Sequence, residues 1–415
     1  MKGSSLAKMA WRNLWRNRRR TGITLSAIVF GVFLAVLMMA MQDRNWADMI
    51  RLAARLGAGH VTYQHPEYLD SPTLSRPVEG TGELKRLAEG NPRVIRVVER
   101  ITGFNMLSTA RDNIGAGFIA VAPEDEDEET LSLLEAVVEG EFFASSDDRG
   151  IILGERLASN LDVELGSRIV YTLTDKEGEI VSDLARVTGI IRTGSPSVDG
   201  GICLLPIGTL RETIGFGPDE AIQVAAFVDD QRVTDRVVGE LAGEAPPGVA
   251  VLPWHELQPD LAVFIAMKVG GAKVMMLVLA VLVAAGIFNT LFVSVMERLR
   301  EFGIMLAVGF SPGQLFRLVM LESAWLAVVG LVGAALVSIG PYVYLASTGI
   351  DMSGLIPAEQ MEVAGVGMST TMQLGIYGES VALIGFSALA AIMLSGVYPA
   401  WRAGHADPVE TIRLV

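Results

Sequence analysis

Lys273 is followed by VMMLVLAVLVAAGIFNTLFVSVM, residues Val274–Met296, a run of 23 residues without one Asp, Glu, Lys or Arg. A helix rises about 1.5 Å per residue, so such a run crosses the roughly 30 Å hydrocarbon core of a bilayer. Three more charge-free runs share this character: Thr21–Gln42, Ser323–Ile350 and Ser380–Trp401. Four membrane-spanning helices are predicted. The whole chain of 415 residues is 51% hydrophobic and only 19% charged, with mean hydropathy +0.42. Globular domains carry about a quarter charged residues. A soluble enzyme, a nucleic-acid binder and a secreted disulfide scaffold are poor readings of that balance. Cys203 stands alone, so neither an intramolecular disulfide nor a Cys/His metal site can be assembled from the sequence. The first run is longer than a signal-peptide core, and Leu37-Met38-Met39-Ala40 lacks the small-residue cleavage pattern. It is read as a retained anchor.

Charge gives an orientation. Lys2, Lys8, Arg12, Arg16, Arg18, Arg19 and Arg20 precede the first span with no acidic residue among them. Basic flanks stay on the cytoplasmic side, so both termini are expected there. The segments this puts inside carry net charge +8, whereas residues 42–272 hold 20 basic and 38 acidic residues. The net −14 of the chain is thus a property of its outer part, not a sign of an acidic partner. The expected division is a basic helix over 1–20, spans over 21–42, 273–296, 318–346 and 380–401, an outer domain over 43–272, an elbow over 297–317, a small outer loop over 347–379 and an inner tail over 402–415.

Directly after the opening run comes ERLREFGIMLAVGFSPGQ, residues 297–314. Gly309 suits a helix C-cap, Ser311 an N-cap, Pro312 the first helical position, and Gln314 completes a capping box. The second span should therefore continue past the membrane, turn sharply and return as the third, which makes the elbow a docking surface by geometry. Along the third span Ser323, Ala327, Gly330, Ala334 and Ser338 form a small-residue stripe, the pattern that lets membrane helices approach closely. Glu322 lies only about 7.5 Å deeper than Arg317 and is read as a structural partner for an inner-side arginine before any proton relay.

The outer 42–272 segment is large enough for its own core and reads as α+β, divided into two lobes. Ile169–Thr174 and Glu179–Ile190 flank a hairpin turn at Asp175–Gly178, while Ala221–Val228 and Gly248–Leu252 are strand-like. Helices are expected at Glu83–Glu89, Leu131–Val138, Glu155–Leu161 and Val233–Leu241. The acidic run Glu124–Glu129 lacks the ligand alternation of a calcium loop and is read as a solvated helix start, where carboxylates favour the positive end of the dipole. At the N-terminus, Leu6, Ala7, Ala10, Trp11, Leu14 and Trp15 recur at helical spacing among arginines. That pattern suits a helix in the inner headgroup region, aromatics inward, or a plain basic anchor.

Intrinsic catalysis is not expected. Gly309-Phe310-Ser311-Pro312-Gly313 matches a nucleophile elbow in letters, yet Pro312 lacks the N–H that this motif uses as an oxyanion donor. No phosphate-binding Gly-x-x-x-x-Gly-Lys-Ser/Thr loop occurs, and His60, His65, His255 and His405 are scattered.

The segment Val295–Gly309, through Arg298, Glu301, Phe302, Gly303, Ile304, Ala307 and Gly309, resembles the signature of the FtsX/MacB-type permeases of ABC systems. The ending Tyr398-Pro399-Ala400-Trp401-Arg402-Ala403 with Asp407-Pro408, and the start Ala10-Trp11-Arg12-Asn13-Leu14, fit the same family. Within it, Gly150–Gly154, Leu165-Gly166-Ser167, Val187–Gly194 with Asp199, and Trp254 look most like the lipoprotein-releasing (LolC/LolE) branch. The resemblance implies a polytopic α-helical membrane protein with four transmembrane helices, type VII ABC permease-like, with a large α+β outer domain between helices 1 and 2. It implies a bacterial inner-membrane location with residues 43–272 periplasmic. It also implies a dimer with a second copy or paralogue, and a LolD/MacB-type ATPase that binds ATP and Mg, no cofactor being held by this chain itself. Coupling to that ATPase falls on Glu297, Arg298, Arg300, Glu301, Phe302, Gly303, Ala307, Gly309, Phe310, Ser311 and Pro312. The cargo implied is a lipoprotein; efflux of amphiphiles or peptides, mechanical signalling to a periplasmic partner, and a sensor without ATPase are the alternatives. A lipid-lined cavity is expected from Phe30, Phe33, Leu34, Leu37, Met38, Phe264, Met267, Met275 and Met276. The proline-bearing hook that recruits a periplasmic chaperone in the LolC type is absent from Thr174–Glu179, which puts chaperone capture at that hairpin in doubt.

Overall fold

A computed structural model describes residues 3–351 and 371–405, with 354, 362–363 and 366–367 between them. Part of the small loop expected over 347–379, and all of the Asp407-Pro408 ending, lie outside the described residues. The chain divides into two compact units, one of residues 1–45, 266–350 and 372–415, the other of residues 46–265 and 351–371.

In the first unit four helices are long and apolar enough to cross a membrane: Ser5–Ala58, Pro259–Glu297, Pro312–Thr348 and Gly378–Gly404. The first is not one uniform helix. Gly3–Leu14 is followed by a 3-10 turn at Trp15–Asn17, and Arg18–Ala53 then continues as α-helix, belonging to this unit through Asn45. Ile28, Val32, Ile287, Leu291, Leu326 and Ile392 pack as one core, which joins all four spans. The small-residue stripe of the third span, Ser323 to Ser338, is buried throughout. A methyl group added at Gly330 would sit 2.5 Å from Ile28 Cγ2, and one at Gly31 would sit 2.6 Å from Val283 Cγ2. Close backbone approach replaces the hydrophobic drive that lipid cannot provide. The chain before the fourth span is tied down by Gly375 N–H donating to Ala40 O (3.0 Å) and Tyr377 N–H to Asp43 Oδ2 (3.1 Å).

The second unit is built on one mixed sheet of ten strands. Its order runs Ala250–Pro253, Val61–Gln64, Gln223–Val228, Val94–Ser108, Asn113–Val121, Ile202–Pro206, Gly150–Gly154, Ile180–Ile191 and Val137–Gly140, while Arg168–Thr174 pairs with both Val94–Ser108 and Ile180–Ile191. Asn113–Val121 with Ile202–Pro206, and Gly150–Gly154 with Ile180–Ile191, are the parallel pairs. The two lobes expected from sequence share this continuous sheet and differ in their cores. One core gathers Val61, Tyr63, Leu84, Val224 and Leu241, the other Ile101, Phe118, Ile151, Leu157, Tyr171 and Leu205. The hairpin expected around Asp175–Gly178 forms, with Thr174 opposite Ile180 and Gly178 at φ +89°. Asp199 clamps the loop before it by accepting from Thr193 N–H (2.8 Å) and Gly194 N–H (3.1 Å). Cys203 is buried, and burial pushes its thiol up to about 12.

Three expectations need correction. The helix placed at Leu131–Val138 is only a 3-10 turn, Ser132–Leu134, followed by strand Val137–Gly140, because the β-branched Val137 pairs with Ile191 on the neighbouring strand, with Val138 at a bulge beside it. The acidic run is not a solvated helix start. Glu126 is buried against Arg100, Asp125 pairs with Lys85 at 2.7 Å and Asp127 with Arg96 at 2.6 Å. Among the described residues no three His, Cys, Asp or Glu side chains cluster as metal ligands. The second span, finally, does not continue smoothly into the elbow. It stops at Glu297, and Arg298 breaks the helix at φ −106°, ψ 9° before a separate helix, Leu299–Ala307.

Candidate functional site

The break at Arg298 places its guanidinium inside the first unit. Arg298 Nη1 donates to both oxygens of Glu322, at 3.1 and 3.2 Å, and Nε donates to Glu301 Oε2 at 3.3 Å. The guanidinium carbon also lies 5.1 Å from the centre of the Phe302 ring, a cation–π arrangement. Glu322 accepts a further bond from Asn13 Nδ2 at 2.8 Å, and Glu301 is gripped by Arg16, whose Nη1 donates to Oε2 at 3.1 Å. A turn further along, Arg20 binds Glu297 Oε2 and Ser294 Oγ, each at 2.6 Å. Hydrogen bonding from Arg16, with Arg298 beside it, holds the Glu301 carboxyl below the usual glutamate range. The N-terminal helix, the elbow and the start of the third span are thus joined by one branched chain of charges.

Apolar packing surrounds this network. Leu6 and Ala10 are buried with Phe302, Leu315, Leu318, Val319, Ala400 and Ala403. Trp325 Nε1 donates to Ala7 O at 3.3 Å, and its ring meets Trp11 edge-on at 5.0 Å. The N-terminal helix therefore turns its Leu6–Ala10–Leu14 face to the protein, with Trp11 and Trp15 at the boundary. Neither the headgroup reading nor the plain-anchor reading anticipated that contact.

Beyond the short helix, the chain reverses in a self-contained turn. Gly309 adopts φ +104°, Phe310 N–H donates to Met305 O (3.0 Å) and Gly309 N–H to Leu306 O (3.1 Å). This is the double closure of a Schellman motif, which favours glycine at that position. Ser311 then caps the third span in a complete capping box with Gln314, and Pro312 occupies its first turn. Of the residues singled out for docking, Glu297, Arg300, Ala307, Gly309, Ser311 and Pro312 are exposed, Glu301 and Phe310 are half-buried, and Arg298, Phe302 and Gly303 are buried. The exposed face also carries Ile304 and Val308, the latter 77% exposed, neither of which was in the expected docking set. Their signal was the apolar residues left on the outer face of a helix whose inner face is Phe302–Gly303.

The nine residues expected to line a lipid cavity divide in this structure. A cavity of about 260 Å³ in this unit is lined by Met38, Met267, Met275 and Met276, with Gln42 and Lys268. Phe30, Phe33, Leu34, Leu37 and Phe264 do not line it, and Phe30 is 65% exposed. Helical spacing explains the split. Met38 shares a face with Ala35 and Gln42, whereas Phe30, Phe33 and Leu37 sit on other sides of the helix.

Comparison with known proteins accords with this architecture. Residues 273–408 match the FtsX-like permease C-terminal description, and residues 21–244 match the MacB-like periplasmic core domain. A lipoprotein-releasing system transmembrane protein LolC from Xylella fastidiosa is 22% identical over 79% of this chain and 79% of its own length. A macrolide export ATP-binding/permease protein MacB from Nitrobacter winogradskyi is 24% identical over 98% of this chain and 60% of its own. For a pyoverdine export ATP-binding/permease protein PvdT from Pseudomonas aeruginosa the values are 24%, 98% and 58%. The chain thus spans about 60% of the length of these two exporters, and 64% of another LolC from Xylella fastidiosa. Among solved structures, the periplasmic region of MacB from Actinobacillus actinomycetemcomitans covers 51% of this chain and 96% of its own at 11% identity, with a TM-score of 0.35. The matched regions of this chain are permease regions only. The chain belongs to the FtsX/MacB-type family of ABC transporter permeases.

Proposed function

We propose that the chain is the membrane subunit through which a separate ATPase drives the release of acylated protein from the inner membrane, working as a dimer with a second copy or a paralogue. The observation that carries this reading is the elbow: an exposed patch of Ile304 and Val308 with Arg300, mounted on a helix that Arg298 ties to Glu301 and Glu322. A partner that pushes on this patch moves a buried ion network rather than a loose loop, and packed interfaces respond to such a push by switching arrangement. Both termini then lie in the cytoplasm and residues 43–272 in the periplasm, in keeping with the basic flanks. ATP and Mg stay with the ATPase.

Lipoprotein as cargo is supported by the methionine-lined cavity. Flexible thioethers adapt to irregular apolar guests, and each methylene withdrawn from lipid requires about 0.8 kcal/mol of compensation. Efflux of a small amphiphile is the second reading, favoured by the MacB and PvdT relatives that align over 98% of this chain. A photo-crosslinker at Met275 in the assembled complex separates the two. Capture of acylated protein supports lipoprotein release, capture of a small amphiphile supports efflux. Failure to co-purify a nucleotide-binding partner, or co-purification undiminished by Val308→Glu, would overturn the docking reading. Cysteine labelling at Glu177 from the periplasmic side tests orientation.

A further inference from the structure

We infer that the N-terminal helix is a site for anionic phospholipid headgroups, and that lipid bound there steadies the elbow network. Residues 1–20 carry seven basic side chains, and no acidic residue occurs before Asp43. The structure divides those cations into two sets. Arg16 and Arg20 turn into the protein, Arg16 onto Glu301 at 3.1 Å and Arg20 onto Glu297 at 2.6 Å. Lys8, Arg12, Arg18 and Arg19 are exposed, and among the described residues their side chains have no hydrogen bond or ion pair. A topological signal needs positive charge on one side of the membrane, but it does not need four cations held on one surface.

Helical spacing sets that surface. Leu6, Ala10 and Leu14 are buried in the protein, which puts Lys8, Arg12 and Trp15 on the opposite side of the helix, with Trp11 at its margin. Arg18 and Arg19 extend it past the 3-10 turn at Trp15–Asn17. Thr21, directly after Arg20, opens the charge-free first span, so the face stands at the level of the bilayer phosphates. Trp11 and Trp15 are 36% and 39% exposed, and amphipathic rings favour the same level. Guanidinium groups bind phosphate through paired N–H donors. Lys8, Arg12 and Arg16 follow one another at four-residue spacing, and like charges so placed weaken a helix. Phosphates lying against them offset that repulsion. The same segment carries Asn13 to Glu322 at 2.8 Å, as well as Arg16 and Arg20 to Glu301 and Glu297. Lipid that holds the outer face of this segment therefore also holds its inner face against the elbow.

The test uses the full-length chain without an ATPase, in nanodiscs with one lipid composition in both leaflets. Its outcome is thus independent of the coupling, cargo and orientation proposed above. The probes are spin-labelled phosphatidylglycerol and spin-labelled phosphatidylcholine. Each basic residue at an anionic surface is worth about fivefold, and averaging over the whole lipid boundary leaves an expected preference for phosphatidylglycerol of about tenfold. That preference should fall towards parity in about 0.5 M salt. Arg12→Gln, Arg18→Gln and Arg19→Gln combined should abolish it, whereas Arg12→Lys, Arg18→Lys and Arg19→Lys combined should keep most of it. Arg317→Gln with Arg402→Gln, which removes exposed charge elsewhere in the same unit, should leave it unchanged. Hydrogen exchange across Leu299–Ala307 should be slower in phosphatidylglycerol discs than in phosphatidylcholine discs for the wild type, and equal in the two for the glutamine variant. The proposal is overturned by equal association of the two lipids, by a preference that survives the glutamine variant, by its loss in Arg317→Gln with Arg402→Gln, or by exchange in 299–307 that ignores lipid charge.

Discussion

Each unit of this protein buries an arginine against a glutamate, and the two pairs are wired differently. Arg100 and Glu126 have fully buried side chains and meet through two bonds of 2.8 Å. Arg100 spends its other donors on Gly57 O and Thr130 O, also at 2.8 Å. That site is closed: among the described residues the two side chains form a single ion pair, with no second charged group on either. Arg298 and Glu322 keep 9% of their side-chain surface exposed, and both are shared, Arg298 with Glu301 and Glu322 with Asn13. That site is branched, and Glu301 can exchange Arg298 for Arg16 without leaving a charge bare. A closed pair pins one arrangement; a branched one permits a second arrangement at small cost, which is what a coupling element needs.

Removing one partner of the closed pair should have the largest effect. Arg100→Met strands a buried carboxylate and should destabilise the β-rich unit by about 3–5 kcal/mol, read by denaturant unfolding, while Arg100→Met with Glu126→Leu should recover most of the loss. A comparable Arg100→Met cost in the double variant would show that the pair is not closed. His60 sharpens the same point, since its ring and Arg100 both contact Phe227. Burial, with a smaller push from Arg51, lowers His60 to about 4. As pH falls through 6.5 the unfolded chain takes up a proton that the folded one refuses until about pH 4. Stability present above pH 6.5 is therefore lost over that window, by about 3 kcal/mol, and His60→Gln should flatten this part of the pH profile.

In the branched network, Arg298→Met should cost less, about 1–3 kcal/mol, because Glu322 retains Asn13. Its larger signature should be loss of ATPase co-purification with the fold intact by circular dichroism. Equal destabilisation by Arg298→Met and Arg100→Met would erase the distinction. Glu301→Gln should have the smallest effect on stability, within about 1 kcal/mol for a partly exposed pair. Glu301 titrates below its ordinary 4.5, so its contribution is present above that pH and lost as the pH falls through the lowered value. Wild type and Glu301→Gln should therefore converge in melting temperature only on the acid side of pH 4.5.

The spans, the hairpin at Asp175–Gly178 and the cap at Ser311 were legible because each is decided by residues close in sequence. Hydropathy runs, Gly178 and Ser311-Pro312 carry their own conformational instruction. The pairing of Glu322 with an inner-side arginine was legible from its depth on the helix, but the outer links of the network were not: Asn13 and Arg16 lie 309 and 285 positions from Glu322 and Glu301, and nothing local marks them as partners. The acidic run misled for the same reason. Six consecutive acidic residues look solvated, yet Glu126 is claimed by an arginine from a strand 26 residues earlier. The cavity was half legible, since apolar character identifies membrane residues but not which side of the helix a void occupies.

The turn from Ile304 to Gln314 closes its hydrogen bonds locally, Val308 N–H on Ile304 O, Phe310 N–H on Met305 O and Gln314 N–H on Ser311 O, and among the described residues borrows none from distant chain. The second and third spans can thus come together as a ready-made hairpin while the ribosome is still making the fourth, so a nascent chain truncated near Thr348 should already resist extraction by alkali as a helical pair.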